Sequence, residues 1–215
     1  MRGVFPGNSI IRHSFKIKNL KFDILYMYTP QDFKHLLGME GMSDALLSNH
    51  FTLYEGYVKN TNAVAELLAG KEPGTPEYAE LKRRFGWEWN GMRLHELYFG
   101  NLTKESAPLV HDESVVSGAL MQLFGSVEAW EKDFRAVGAM RGIGWVILAQ
   151  DKVNGALFNV WINEHDAGHL AGAMPVLVMD VFEHAFMLDY GLKRAEYIDT
   201  FFRSIDWNVV ERRLQ

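Results

Sequence analysis

The sequence predicts an α+β fold: an N-terminal long α-helical hairpin domain followed by a C-terminal α/β domain with a three-stranded antiparallel sheet. Three observations carry this reading. Residues 43–102 contain two stretches of helical periodicity separated by a short Gly/Pro turn. Beyond residue 143 the pattern changes to short apolar runs, two of them flanking Asn154-Gly155. Helices come first and mixed elements follow, an order that separates a helical region from a sheet-bearing one.

Residues 1–22 carry Arg2, Arg12, Lys16, Lys18 and Lys21, with no acidic residue before Asp23. They lack the apolar core of a secretory signal and read as an N-terminal extension, with a transit peptide as the alternative. The helical hairpin domain is assigned to residues 23–112. In it, Ser43 is the expected N-cap of a helix over 43–70, with Asp44 in its first turn and Gly70, Pro73 and Gly74 as its stop. Thr75 caps a second helix with Pro76 at its first position. This helix is expected to reach about Leu102, with Gly86 and Gly91 leaving room for a break. The C-terminal α+β domain is assigned to residues 113–215. Residues 113–139 read as two helices broken at Gly125-Ser126. Residues 144–148 and 156–162 read as strands joined by the two-residue signal Asn154-Gly155. A third strand covers 176–179, and residues 197–202 and 207–213 close the chain as helices.

With 215 residues, 48% hydrophobic and 13% aromatic, the chain can bury a substantial core. A formal net charge of −5 argues against nucleic acid as the main partner. No apolar run approaches the roughly 18 residues that span a bilayer, so no membrane partner is expected. Zero cysteines exclude disulfides and thiolate ligands, so a metal would have to be held by His, Asp or Glu. The same absence fits a reducing cytoplasm, which is the expected location.

One corner of the chain stands out chemically. The apolar run Met174 to Met179 ends on Asp180, and His184 follows four residues later at the start of a segment rich in helix formers. A carboxylate and an imidazole at such a strand-to-helix corner suit a transition metal with mixed oxygen and nitrogen ligands. On the first helix, His50, Tyr54 and Tyr57 share one face, where His50 is either a histidine packed among aromatics or a ligand. His95 on the second helix is either an exposed helical histidine or a ligand, and the plain reading of His165 is a surface-loop histidine.

The context of that corner, DVFEHAFMLDYGLKRAEYIDTFFRSIDWNVVERR from Asp180 to Arg213, resembles the C-terminal signature of the iron/manganese superoxide dismutases. Tyr57-Val58-x-Asn60-x-Asn62 resembles the family's gateway-tyrosine segment, and Leu94 to Phe99 resembles the second helix's ligand histidine with its aromatic pair. The resemblance implies a redox metal held by His50, His95, Asp180 and His184, with one position left open. It implies Tyr57 and His165 as the catalytic pair, His165 standing where glutamine is usual and touching the solvent on the metal. His169 is the competitor for that role. Gly144-Trp145 is similar to the strand whose indole walls the pocket, and Phe182 replaces the usual tryptophan between the last two ligands. Arg194 resembles a basic residue near the substrate funnel.

The activity implied is conversion of superoxide to oxygen and hydrogen peroxide, an antioxidant oxidoreductase. The cofactor implied is one iron ion per subunit, with manganese as the alternative. A homodimer or tetramer is also implied, with Glu183 reaching across to the partner's ligand histidine. The family's interfacial histidine–tyrosine pair is absent, its places being taken by Tyr54 and Met187. His50 and Tyr57 are seven residues apart where the family usually has eight. Seven residues make two turns of a regular α-helix, whereas eight need a one-residue π-bulge to aim both side chains alike. If His165 titrates near neutrality, activity should vary with pH between about 6 and 8. The rival readings are a non-enzymatic or low-activity metal-binding relative of the same fold and, less suited to a third histidine, an iron oxygenase.

Overall fold

The computed structural model describes residues 28–106 and 114–214. The expected extension at 1–22 and the boundary at 112/113 lie outside the described residues.

Helix α1 spans Asp44–Ala69 and α2 spans Pro76–Gly100. Ser43 caps α1 by accepting from the Leu46 N–H at 3.1 Å, and Thr75 caps α2 by accepting from the Tyr78 N–H at 3.3 Å. Asp189 fastens the α1 N-terminus to the far end of the chain, accepting from both the backbone N–H and the hydroxyl of Ser43 at 2.7 Å. Along α1 the buried residues Leu46, Leu47, His50, Tyr54, Val58, Thr61 and Val64 recur every three or four positions and form the stripe that packs on α2. Helix α2 is continuous, contrary to the break that Gly86 and Gly91 left open. Gly91 serves close packing instead: a Cβ there would sit 2.6 Å from a ring carbon of Tyr57 on α1.

Helices α3 (Val115–Phe124) and α4 (Val127–Gly138) break at Gly125-Ser126 as expected, and the Ser126 hydroxyl accepts from the Ala129 N–H at 3.0 Å. Strands β1 (Gly144–Asp151), β2 (Leu157–Asn163) and β3 (Ala173–Asp180) form an antiparallel sheet in the order β2-β1-β3. Strands β1 and β3 outrun the limits that periodicity suggested, whereas β2 keeps its expected length, shifted by one residue. Central β1 is buried along nearly its whole length. The β1–β2 turn is also longer than two residues. The Asp151 N–H donates to the Ala156 carbonyl at 2.8 Å, and the Asp151 and Asn154 side chains accept from the Val153 and Ala156 N–H groups inside the turn. These side-chain turns offer an alternative to a tight hairpin.

After β3 the chain makes a 3₁₀ turn over Glu183–Ala185, then short helix α5 (Met187–Tyr190), α6 (Arg194–Arg203) and α7 (Trp207–Arg213). The corner after Asp180 is thus tighter than the regular helix its composition suggested. Buried apolar side chains from the hairpin, the sheet and the closing helices form one continuous cluster. Among the described residues, no helix is long and apolar enough to cross a membrane.

Gly144 opens β1 with φ at +139°, and a Cβ there would lie 2.0 Å from the Ile162 carbonyl oxygen on β2. Neither the conformation nor the contact suits an L side chain. Gly144→Ala is therefore expected to cost more than about 1 kcal/mol of stability, read as a lower urea midpoint; an unchanged midpoint would contradict this packing.

Candidate metal centre

Four side chains from four separate places meet between α1, α2 and the end of β3. His50 and His95 enter from the two helices, Asp180 ends β3, and His184 lies in the 3₁₀ turn. One ligand-capable atom from each falls within 4.8 Å of all the others. His50, His95 and Asp180 are buried, and the His184 side chain keeps 25% of its exposure.

Asp180 organises the group. Its Oδ1 accepts from the Phe182 N–H at 2.8 Å, which turns Oδ2 towards the histidines. The Nε2 atoms of His184, His50 and His95 lie 3.1, 3.2 and 3.6 Å from that oxygen. The two shorter contacts differ in kind: His184 is aligned as a hydrogen bond, whereas His50 is close but not aligned as one. The Asp180 carbonyl accepts from the Tyr197 hydroxyl at 2.7 Å, so backbone and side chain are both held.

His95 has its tautomer set by the helix that carries it. Its Nδ1 lies 2.6 Å from the Gly91 carbonyl, which can only accept, so the proton is on Nδ1 and the Nε2 lone pair faces Asp180. The Nε2 atoms of His50 and His95 are both buried without a hydrogen-bond partner. Burial holds the His50 pKa below the ordinary histidine value and the His95 pKa well below it. For Asp180, burial opposes ionisation, but the attraction and hydrogen bond of His184, with His50 close by, prevail and hold it below the usual carboxylate range. The group therefore combines an ionised, fully buried carboxylate with two imidazoles, His50 and His95, that resist protonation. Buried charge of this kind calls for a partner.

A metal ion fits that need. Two donors each about 2.1 Å from one ion stand about 3.1–3.6 Å apart at angles from roughly 95° to 120°, the separations found around Oδ2. Two orphaned imidazole nitrogens and one ionised carboxylate are the ligand chemistry such an ion requires.

Beside this quartet runs a second chain of polar contacts. The Trp145 indole N–H donates to His165 Nδ1 at 3.0 Å, and His165 Nε2 lies 2.7 Å from the Tyr57 hydroxyl. Indole is a donor only, so a neutral His165 carries its proton on Nε2 and donates it to Tyr57. The Tyr57 O–H is then left for whatever occupies the centre. His165 is fully buried, and burial pushes its imidazole down to about 4. It is therefore neutral between pH 6 and 8, contrary to the expectation of titration near neutrality. Tyr57 is driven above its ordinary value by burial, then by the charges of Asp180 and Glu88, so it keeps its proton.

The remaining candidates are distributed more widely. His169 is exposed, with Nε2 2.9 Å from the His165 carbonyl. Phe182 stacks on both His165 and His184, at centroid distances of 4.9 and 5.2 Å. Arg194 donates to the Met140 and Gly142 carbonyls at 2.7 and 2.9 Å, which ties it to the loop before β1. The buried Tyr54 donates to Glu96 at 3.0 Å and accepts from the Gln31 N–H at 2.9 Å, a use internal to this chain. Sequence reasoning missed two contributors. Trp87 packs its ring 4.6 Å from His165 and 5.5 Å from Tyr57, and Gly91 both seats Tyr57 and orients His95. Their one signal is spacing: they precede His95 by eight and four residues and so share its helix face.

Comparison with known proteins agrees with this geometry. Residues 111–213 match the family described as iron/manganese superoxide dismutases, C-terminal domain. An iron superoxide dismutase of Cupriavidus metallidurans is 37% identical over 79% of this chain and 86% of its own length. One from Aquifex pyrophilus is 33% identical over 86% of this chain and 90% of its own length. A manganese superoxide dismutase of Haloferax volcanii is 35% identical over 74% of this chain and 80% of its own length. The chain therefore belongs to the iron/manganese superoxide dismutases, oxidoreductases that convert superoxide to oxygen and hydrogen peroxide.

Proposed function

We propose that this chain dismutates superoxide with one iron ion per subunit, held by His50, His95, Asp180 and His184, with Tyr57 and His165 as the catalytic pair. The convergence of those four side chains on one point carries the reading. When bound, the metal would supply one-electron redox chemistry. The protein supplies the rest. Three imidazoles and one carboxylate supply the donors, and His50 and His95 resist the protons that would compete with a metal. Tyr57, protonated and held by the His165 Nε2–H, can present its O–H to a reduced substrate, and Trp145 keeps His165 in the tautomer that does this. The complete quartet and this pair argue against a relative that has kept the fold without turnover.

Iron rather than manganese is the finer part of the proposal, since relatives of both kinds are similar to this chain. The division into residues 23–112 and 113–215, with the metal between the two, belongs to the same reading. So does a homodimer, or a tetramer built from it. Glu183 is exposed and its side chain makes no hydrogen bond or ion pair among the described residues, beside a His184 that is itself partly exposed. Met187, Leu188 and Leu192 nearby are 47%, 58% and 90% exposed. A symmetric pair would cover these apolar groups and bring Glu183 to His184 of the partner subunit, orienting its imidazole. A cytoplasmic antioxidant role completes the proposal and rests on the cysteine-free composition.

Protein purified without added metal should carry about one iron per subunit, and His95→Ala should lose both metal and activity by about tenfold or more. Elemental analysis with reconstitution by each metal checks this, and activity restored by manganese alone would reverse the metal assignment. NMR titration of the metal-free protein should find His165 neutral down to about pH 5, with protonation near 4. Because the unfolded chain would take up this proton near 6.5, His165 should contribute a loss of stability as pH falls from about 6.5 to 4. Protonation between pH 6 and 7 would contradict that burial. Light scattering at micromolar concentration should report a dimer or tetramer, and a fully active monomer would rule out the interface.

A further inference from the structure

We propose that Asn101 and Arg213 are positioning residues of the metal centre: they clamp α2 to β3 and so set the separation of His95 from Asp180. The inference rests on the reading above that His95 and Asp180 are ligands.

Asn101 follows the last residue of α2 and is fully buried. Its amide faces the outer edge of β3, which no strand covers in the sheet order. Asn101 Nδ2 donates to the Val178 carbonyl at 3.2 Å, and the Val178 N–H donates back to Asn101 Oδ1 at 3.0 Å. One side chain thereby makes the pair of bonds that a neighbouring strand would make. Only a group with a donor and an acceptor on one plane can do this, which is why an amide is suited here. The Asn101 carbonyl also accepts from the Asp206 N–H at 3.0 Å, bringing in the start of α7.

Arg213, near the end of α7, locks the same junction from outside. Its Nη1 donates to Asn101 Oδ1 at 3.1 Å and to the Val176 carbonyl at 3.2 Å, and its Nη2 donates to the Leu97 carbonyl at 3.0 Å. A planar guanidinium fork reaches both elements at once, which an ammonium cannot reproduce. The anchored groups sit close to the ligands in sequence. Leu97 is two residues beyond His95, and Val178 is two residues before Asp180. The His95–Asp180 contact, at 3.6 Å, is the longest of the three around Oδ2, and its two residues come from elements joined here by side chains.

The test compares thermal midpoints of metal-free and iron-loaded protein, and the rate at which a chelator removes the iron. The variants are Arg213→Lys, Asn101→Leu and a control, Asn159→Ala. Asn159 joins α4 to β2 by accepting from the Trp130 indole at 3.0 Å and donating to Asp133 at 2.8 Å, and neither element carries a ligand. The control should lower both midpoints equally and leave iron release unchanged. Arg213→Lys and Asn101→Leu should reduce the rise that iron gives to the midpoint and speed iron release by about tenfold or more. A wild-type rise and release rate in both variants would overturn the proposal, leaving a purely structural clamp. Should Asn101→Leu fail to fold, Arg213→Lys decides alone. If wild-type protein itself gains nothing from iron, the ligand assignment fails instead, which keeps the two failures distinct.

Discussion

A carboxylate taken wholly out of water, with three imidazole nitrogens 3.1–3.6 Å from one of its oxygens, is the constraint on which the rest of this structure depends. Ionised Asp180 in that place calls for positive charge, yet burial disfavours charging His50 and His95. The balance needs a cation that accepts lone pairs rather than donating protons, which is a metal ion. The architecture around the site makes this arrangement persist. The Phe182 N–H occupies Oδ1, the Gly91 carbonyl fixes His95, and Tyr197 holds the Asp180 backbone. Each contact removes an alternative in which the quartet would satisfy itself and have no use for an ion.

The same logic governs the proton side of the site. Trp145 has a single donor and gives it to His165, and this one bond decides which nitrogen of His165 carries hydrogen and how Tyr57 is oriented. Register puts Trp145 there: it pairs with Asp180 across the β1–β3 ladder. A displacement of one residue would send the indole to the opposite face of the sheet. The placement of Asp180 and that of His165 thus depend on one pair of strands. Gly144, immediately before the indole, takes a conformation that suits glycine and no L side chain.

The hairpin and the sheet contribute differently. The α1–α2 pair is an extended frame whose facing stripes align His50, Tyr57, Gly91 and His95, and absence of a Cβ at Gly91 brings the helices close enough for Tyr57 to lie across α2. The sheet contributes Asp180 at a strand end and the turn that follows it. Side-chain bonds such as those of Asn101, Arg213 and Asp189 join the two halves at their seams. Such bonds are directional, so they fix relative position where apolar packing alone would allow sliding.

Much of this was legible in the chain itself. Caps at Ser43 and Thr75, the Pro76 start, the Gly125-Ser126 break and the presence of three strands follow from local propensity, which acts within a few residues. The four candidate ligands and the Tyr57–His165 pair were visible through motif resemblance, and the seven-residue spacing of His50 and Tyr57 is met by a regular helix. Strand ends, the β1–β2 turn and the continuity of α2 were not legible, since burial and side-chain turns override weak local preference there. The neutrality of His165 and the roles of Trp87 and Gly91 required the tertiary structure. A pKa depends on the water that neighbours exclude, and a glycine's purpose depends on what lies against it. Sequence by itself determined which residues could carry the chemistry. Only the packed fold decided their protonation and their distances, because both are set by groups far away along the chain.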